Sequence, residues 1–470
     1  MALEGLKRGG EFNAITAEIV LSTGKLIKLE SASILSLTIF ENINEPAMSG
    51  KMIFQDSINL GSVGPLIGQE YLKIKITTPS VDDEDFMLDS TNQAYMVTSV
   101  RDRQDIGNGV QAAMLEFVSR EMVINNRQRV RRTLVGSYSE IVEELLEKDL
   151  MCSKKLFVES SADNKKIVST NNTPYSIIRT ATKHAISSNH RDATYCFWET
   201  SRGLNFRTLG NMYNQAQYDI MSYIYTIPGT RYANGRLNMD AEIKSIENWK
   251  ITGGPNTLVN YGNGAYSSDL IVHDILSKSY KKTKYNYLKS FDSQVHVDGD
   301  ESRPLTNPLN LTLDGENVSS FPSRQYLKPA VGSAIDKSHG SGIYNSFSND
   351  NFPKSIQSRN SQMAMIQNGL AITIDVVGNT LVCAGDIVTV IIPNTAAYIE
   401  GNDTQDSLYN GSFLVTDLRH DFDFETYRHK MSMRVVKDSM NKKISSPSDN
   451  TEPSDERGLR TIKLDSHYDN

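Results

Sequence analysis

The sequence predicts a mostly β fold with an α+β component, in which two antiparallel β units flank a small α/β unit. Apolar and polar residues alternate in short runs over residues 12–120, helix signals with short strands occupy 121–209, and strand-like runs return after 210. Alternation with a period of two places one side of each strand on a core. Several short strands separated by turn signals are typical of an antiparallel sandwich or barrel.

The composition favours a multidomain structural chain over a nucleic-acid binder. The chain has 470 residues, which corresponds to about three domains. Hydrophobic residues make up 39% of it, enough for real cores. The 49 basic and 56 acidic residues give a net charge of −7, whereas nucleic-acid binders usually carry a basic surplus.

Cysteine usage and hydropathy indicate a reducing compartment. Cys152, Cys196 and Cys383 are widely spaced and form no CxxC pair, so we expect no disulfide framework. The first ten residues hold no apolar run, and we expect no signal peptide. The longest apolar stretches, such as Ile387–Ile392, are too short to span a bilayer.

The first β unit is predicted over residues 12–120. Its strands show strict alternation, and turn-like breaks at 22–24, 42–46, 61–68 and 78–80 separate them. The alternating apolar positions include Ile15, Ala17, Ile19, Leu35, Leu37, Ile39, Met52, Phe54, Ile74, Ile76, Leu115 and Phe117.

A small α/β unit is predicted over residues 121–209. Ser137 and Glu140 form a capping-box pattern, and an apolar helix face follows them. Thr173-Pro174 predicts the start of a second helix, because proline at its first position lacks an N–H that would be unsatisfied there anyway. Short strands are expected on both sides of that helix.

The second β unit is predicted to be discontinuous, over residues 210–285 and 355–438. The intervening 286–354 segment is rich in Ser, Asn, Asp, Gly and Pro and lacks sustained periodicity. A stretch this long without regular structure is unusual inside a domain, so it predicts an extended insertion or arm. Residues 439–470 have the composition of a polar tail, in which alternation over 459–464 predicts a short strand.

We expect no catalytic, cofactor or metal site and no enzymatic activity. HExxH, GxSxG, P-loop and GxGxxG motifs are all absent from the sequence. Three constellations have a chemical alternative, but each favours a structural reading. In His339-Gly340-Ser341-Gly342, a loop is favoured over a nucleophile. For His184, His190 and Cys196, packing is favoured over zinc binding. For Asp82-Asp83-Glu84-Asp85, a solvated loop is favoured over calcium binding.

A basic cluster precedes the capping box. It comprises Arg127, Arg129, Arg131 and Arg132. Nucleic-acid contact is one interpretation, but no aromatic residues are interleaved as single-strand binding requires. We favour a solvated linker or an interface patch for an acidic partner.

The order of the segments resembles the baseplate hub protein of contractile-tailed bacteriophages, the myovirus central hub. That hub is itself related to the N-terminal part of type VI secretion spike proteins. The resemblance covers most of residues 12–438 and depends on the order of individually loose motifs. The matching segments are Ser36 to Asp56 with Leu60 to Lys73 for a first tube domain, Asn172 to Ile178 with Phe197-Trp198-Glu199 for the middle unit, and Gly264 to Asp274, Arg359 to Gly369 and Val377 to Val388 for a second tube domain.

The resemblance implies a structural virion protein with two tube-type β-barrels per chain. Three chains would form a homotrimer whose six barrels make a pseudo-sixfold ring around a channel. Such a hub joins the sixfold tail tube to a trimeric spike or tail lysozyme-like protein, contacts other baseplate (wedge) proteins, and lets DNA pass on ejection. It would be made in the host bacterial cytoplasm and reside in the tail baseplate of the virion, without a membrane span.

Six residues are candidate contacts to subunits or partners. They are Lys73, Lys75, Arg127, Arg129, Ile462 and Leu464. Lys73 and Lys75 alternate along a predicted strand and are expected to face the channel or a neighbouring subunit. Ile462 and Leu464 belong to the strand-like end of the tail, which is suited to strand addition at a sheet edge.

Three other functions stay open at this point. A type VI-like spike or effector carrier would need a further C-terminal β-helix or enzymatic domain. A cell-wall hydrolase fused to the hub would need a positioned acid pair or nucleophile. A carbohydrate- or DNA-binding module would need a face rich in tryptophan or in basic residues.

Overall fold

The structure of the chain is a computed structural model. In it, two β units share one hydrogen-bonded sheet. The structure describes residues 9–440 except 57–65, 80–86, 108–109, 163, 190–191, 216–220, 226–231, 234–235, 238, 275–277, 300–301, 306–311, 331–351 and 394–407. Fourteen strands of these described residues belong to the shared sheet. The mostly β class with an α+β component predicted from the sequence is confirmed.

The first β unit is an antiparallel sheet in the order β2-β1-β5-β7-β8-β4-β3, with β6 paired to β5. Its inward positions, such as Ile19, Leu37 and Leu115, form one hydrophobic core. Its strands are β1 Asn13–Val20, β2 Leu26–Lys28, β3 Ile34–Asn42, β4 Ser49–Asp56, β5 Tyr71–Thr77, β6 Leu88–Asp89, β7 Tyr95–Gly107 and β8 Val110–Val118. A single 3₁₀ turn at Ser31–Ser33 precedes β3.

The middle unit has its own hydrophobic core between two helices and short strands. The capping box is present, because Ser137 Oγ accepts from the Glu140 N–H at 3.3 Å and Glu140 accepts from the Ser137 N–H at 2.8 Å. Thr173 caps the proline-initiated helix. The elements are α1 Arg120–Arg127, β9 Thr133–Gly136, α2 Tyr138–Glu144 continued by a π turn at Leu145–Asp149, β10 Leu156–Val158, β11 Lys165–Val168, α3 Pro174–His184, β12 Cys196–Thr200, β13 Gly203–Arg207 and α4 Leu209–Tyr213.

The remaining elements form the second β unit and the segments attached to it. In chain order the first are β14 Ser222–Tyr225, β15 Tyr232–Ala233, β16 Arg236–Leu237, α5 Met239–Ile243, β17 Ser245–Gly253, α6 Thr257–Gly262, β18 Ser267–Asp274, β19 Ser279–Asn286 and α7 Tyr287–Ser290. They continue with β20 Arg303–Pro304, β21 Thr312–Leu313, β22 Glu316–Asn317, β23 Arg324–Ala330, α8 Phe352–Gln367, β24 Leu370–Val377, β25 Ile387–Ile391, β26 Gly411–Asp423, β27 Arg428–Lys437 and β28 Ser439–Met440.

Six strands of the second unit close into a barrel. They follow the order β26-β25-β14-β17-β24-β27, and the β26–β27 ladder completes the ring. Buried side chains such as Ile372, Val390 and Met433 fill its interior. The first unit differs, because its sheet is open within the described residues. The strands form a series from β2 to β3, and no ladder pairs β2 with β3.

One segment departs from the expected element pattern. The hairpin β18–β19 pairs with β23 and not with the barrel strands described above, so these strands form a separate three-stranded sheet. Residues 324–330 lie in the segment predicted to lack regular structure, yet they form β23. That strand depends on parallel pairing with residues 268–274, a non-local contact that local periodicity cannot reveal. The domain boundaries stay a prediction.

Candidate functional site: a polar face shared by the two β units

Among the described residues, one ladder joins the two β units. Strand β3 pairs antiparallel with β26 over Ser36 to Asn42, opposite Asp423 to Asp417. Because directly paired residues project to the same side of a sheet, the exposed face of the first unit continues onto the second. We call this continuous surface the polar face.

On the first unit, the polar face carries a cluster centred on Glu116. Its carboxylate lies 3.2 Å from Arg101 Nε and 3.9 Å from Lys51 Nζ. Ser99 Oγ donates to the same carboxylate at 2.6 Å. These residues belong to β7, β8 and β4, so the cluster connects three neighbouring strands across their exposed side.

At the junction between the units, polar pairs cross from β3 to β26. Thr38 Oγ1 donates to Asp421 at 2.9 Å, and Asn42 Nδ2 donates to Asp417 at 2.5 Å. Asp421 also pairs with Arg419 at 2.8 Å. Hydrogen bonds and ion pairs therefore connect the polar face across the boundary between the two units, as they do within each unit.

On the second unit, the same pattern continues over β27, β24 and β17. Glu247 accepts from Arg428 at 2.6 Å and lies 3.4 Å from Lys430 Nζ. Ser432 Oγ donates to Asp375 at 2.7 Å. The polar face thus extends across most of the shared sheet.

Positive and negative charges on the polar face are close to balanced. Exposed or half-buried side chains of both signs alternate along neighbouring strands, and most of them form pairs that weaken the field far from the surface. The charged members include Lys51, Arg101, Lys250, Arg419, Arg428, Lys430, Arg434, Glu116, Glu247, Asp375, Asp417, Asp421 and Asp423.

Two of the candidate contacts lie on the polar face. The register from β5 through β7 and β8 to β4 places Lys73 and Lys75 on the same side as Lys51. Both lysines are half-buried. Lys75 is paired with Asp89 at 2.9 Å, so its ammonium is already engaged within the fold.

The other candidate contacts are elsewhere. Arg127 ends α1 and is exposed, as is Arg129, whose guanidinium donates to the carbonyls of Asn126 and Gln128 at 3.0 and 2.9 Å. These two arginines belong to the middle unit, not to the polar face. Ile462 and Leu464 lie outside the described residues.

The remaining members of the basic cluster are structural. Arg132 forms ion pairs with Asp149 at 2.6 Å and Glu144 at 3.2 Å, and these carboxylates raise its pKa. Arg131 donates to Asn171 at 3.0 Å. Sequence reasoning grouped the four arginines because it could not see these distant partners.

A buried junction that sequence reasoning missed holds the middle unit to both β units. Glu41 of β3 accepts from the backbone N–H groups of Ser201 at 2.8 Å and Ala384 at 2.9 Å. Burial raises the pKa of Glu41 to about 7. Beside it, Arg202 makes a bidentate pair with Asp386 at 3.0 and 2.9 Å. The signal was present, because Glu41 occupies a core position in the alternation of β3.

A second buried junction ties the middle unit to the first β unit. Glu199 accepts from the backbone N–H of Met48 at 3.0 Å and from the Ser119 hydroxyl. Lys154 contacts both Glu199 and Glu121, the latter at 2.8 Å, and the two carboxylates raise its pKa. These buried charges are paired, as burial requires. The two buried junctions thus connect the middle unit to both β units.

The constellations with a chemical alternative do not form a site in the described residues. Cys196 is buried, and burial raises the pKa of its thiol to about 11, which disfavours the thiolate that binds metal. No group of three or more His, Cys, Asp and Glu residues within the described part of the chain is arranged to hold a metal ion. His190, Asp82-Asp83-Glu84-Asp85 and the 339–342 segment lie outside that part.

The fold is similar to that of a tail protein of known structure. A tail protein from Neisseria meningitidis MC58 superposes with a TM-score of 0.51 at 12% identity, covering 91% of this chain and 97% of that protein. The 43 kDa tail protein of prophage MuSo2 from Shewanella oneidensis gives a TM-score of 0.49 at 8% identity, with 90% and 98% coverage. No family model matches the chain.

The chain resembles phage baseplate hub proteins. It is 21% identical over 395 residues to the "Probable baseplate hub protein gp334" of Vibrio phage KVP40, which covers 82% of this chain and 85% of that protein. This similarity confirms the resemblance predicted from the order of the sequence motifs. Of the helices in the described residues, none is long and apolar enough to cross a membrane.

Proposed function

We propose that this chain is the central hub of a contractile-tail baseplate, a structural protein of the virion. The observation that carries the proposal is the β3–β26 ladder, which gives each chain two adjacent β units with one continuous polar face. Three chains in a closed ring would present six such units. A threefold assembly would thereby match the sixfold symmetry of a tail tube on one side and a trimeric spike on the other.

The polar face is proposed to line the channel of this ring. DNA passing through the channel during ejection would meet paired charges instead of a basic surface. Phosphate binding that releases counterions would retain DNA, and the near balance between cations such as Lys430 and anions such as Asp421 limits that binding. The polar face therefore suits transit of DNA better than its capture.

The remaining partners are part of the same proposal. The tail tube protein, a spike or tail lysozyme-like protein and wedge proteins would contact the ends and rim of the ring. Lys73, Lys75, Arg127 and Arg129 are the proposed subunit or partner contacts within the described residues, and Ile462 and Leu464 those in the tail. We propose residues 12–120, 121–209 and 210–285 with 355–438 as the three domains, with 286–354 as an insertion.

Mass photometry of the purified chain tests the proposal. We expect a dominant species at three times the chain mass of 52.5 kDa. As a matched pair, Arg129→Glu and Lys25→Glu reverse one exposed charge each, the first at a proposed contact and the second outside the set. We expect the proposed-contact variant alone to weaken assembly or partner binding. A stable monomer of the unaltered chain at micromolar concentration would contradict the hub function.

A further inference from the structure

A large cleft separates the middle unit from helix α8. Its volume is about 910 Å³, and its walls come from the turn after β3, from α3, from β23 and from α8. Cavities of this size accommodate ligands or short peptide segments. The residues that line the cleft are distinct from the charged residues of the polar face.

The walls of the cleft are strongly cationic. Arg179 and Lys183 on α3, Arg324 on β23 and Arg359 on α8 line it. Among the described lining residues, Glu45 is the only carboxylate. This local excess of positive charge stands out in a chain whose net charge is −7. The cleft is therefore suited to a negatively charged occupant.

Two of these cations are held in place by the fold. Arg359 donates to the carbonyls of Thr182 at 3.2 Å and Tyr195 at 3.4 Å. The Arg324 guanidinium lies over the Tyr326 ring, 5.6 Å from its centroid. Groups fixed in this way lose little further side-chain entropy when a carboxylate binds.

The chain leaves the described structure close to this cleft. The Asp438 carboxylate lies 2.9 Å from His296 Nδ1. Gln294, two residues before His296, donates from its side-chain amide to the hydroxyl of Ser358 on α8 at 3.5 Å. Strand β28 then ends at Met440. The C-terminal segment therefore starts beside the helix that forms one wall of the cleft.

Within that segment, the stretch 444–456 is acidic and lies between Lys443 and Arg457. Asp449, Glu452, Asp455 and Glu456 occur in it, and residues 444–456 contain no lysine or arginine. Asp449 is the ninth residue after Met440, a reach of up to about 30 Å in an extended chain. Its own C-terminal segment is thus the occupant that proximity and charge both favour.

We propose that residues 449–456 of this chain dock in the cationic cleft, with their carboxylates paired to Arg179, Lys183 and Arg324. Arginine and lysine form their strongest hydrogen bonds with ionised carboxylates. The docked segment would connect α3 of the middle unit to β23.

The test uses the full-length chain with a fluorophore attached at Ser448→Cys. We expect high fluorescence anisotropy of the dye, which falls to the value of a free 445–458 peptide in the Arg179→Glu/Lys183→Glu variant. That fall corresponds to a shift of about tenfold or more in the docking equilibrium. The Lys25→Glu/Lys28→Glu variant changes the net charge equally and should keep the high anisotropy.

Three results would overturn the proposal. The first is a freely rotating dye in the unaltered chain, and the second is an equal loss of anisotropy in both charge-reversal variants. The third is binding of a duplex oligonucleotide that depends on Arg179 and Lys183 while the tail stays mobile, which would assign the cleft to nucleic acid. None of these results bears on the trimeric ring, so the two proposals fail separately.

Discussion

Ionisation of Glu41 should weaken the junction between the middle unit and the two β units. Glu41 is buried, and its pKa is raised from 4.5 to about 7. The folded state therefore holds a proton that the unfolded state releases between these two pH values. Stability contributed by this group is present below pH 4.5 and is lost as the pH rises through about 7.

The size of the effect follows from the shift in pKa. One proton corresponds to about 1.4 kcal/mol per pH unit, so a shift from 4.5 to about 7 is worth about 3 kcal/mol at full ionisation. The variant Glu41→Gln keeps the shape and cannot ionise. As the pH rises from 4.5 to 8, the unfolding free energy of the unaltered chain should fall by about 3 kcal/mol relative to that of Glu41→Gln.

Tryptophan fluorescence during urea denaturation measures this difference. Trp198 is buried beside the junction and donates to the Ala384 carbonyl at 2.9 Å. The chain has two tryptophans, so Trp249→Phe in every sample leaves Trp198 as the reporter. The exposed Glu45→Gln serves as the control. Parallel pH profiles for the unaltered chain and Glu41→Gln would refute the reasoning.

Three further predictions concern other parts of the molecule. Burial lowers the pKa of His420 to about 3, so acidification below pH 6.5 should destabilise the fold. His420→Gln should reduce the fall of the urea midpoint below pH 6.5, and an unchanged fall would count against this prediction. Arg202→Met should cost about 3 kcal/mol because it leaves Asp386 unpaired in a buried site, whereas Arg419→Met at an exposed pair with Asp421 should cost less than about 1 kcal/mol; equal losses of denaturation midpoint would argue otherwise. Purified chain should release no peptidoglycan fragments above a buffer control, and measurable release would reverse the non-enzymatic interpretation.

Local sequence patterns were sufficient for the elements that local forces stabilise. Alternation of apolar residues identified the strands of the first unit, because a half-buried strand has to alternate. The Ser137–Glu140 capping box located a helix, since both partners lie within one turn. The motif order also led to the resemblance that the comparison with a phage hub protein confirmed.

Non-local contacts account for what the sequence could not reveal. Strand β23 exists through its pairing with β18, more than 50 residues earlier. The β3–β26 ladder pairs residues separated by most of the chain. Glu41 was visible as a charge at a core position, but its partners at Ser201 and Ala384 come from two other units. A single sequence carries no direct record of such distances.

Electron cryomicroscopy of the assembled chain tests the central claim most directly. The account predicts a ring of three chains with six β units around an open channel, and with Glu116, Asp421 and Glu247 of the polar face exposed to that channel. A ring of different copy number, or three chains whose polar faces point outward to solvent, would contradict it.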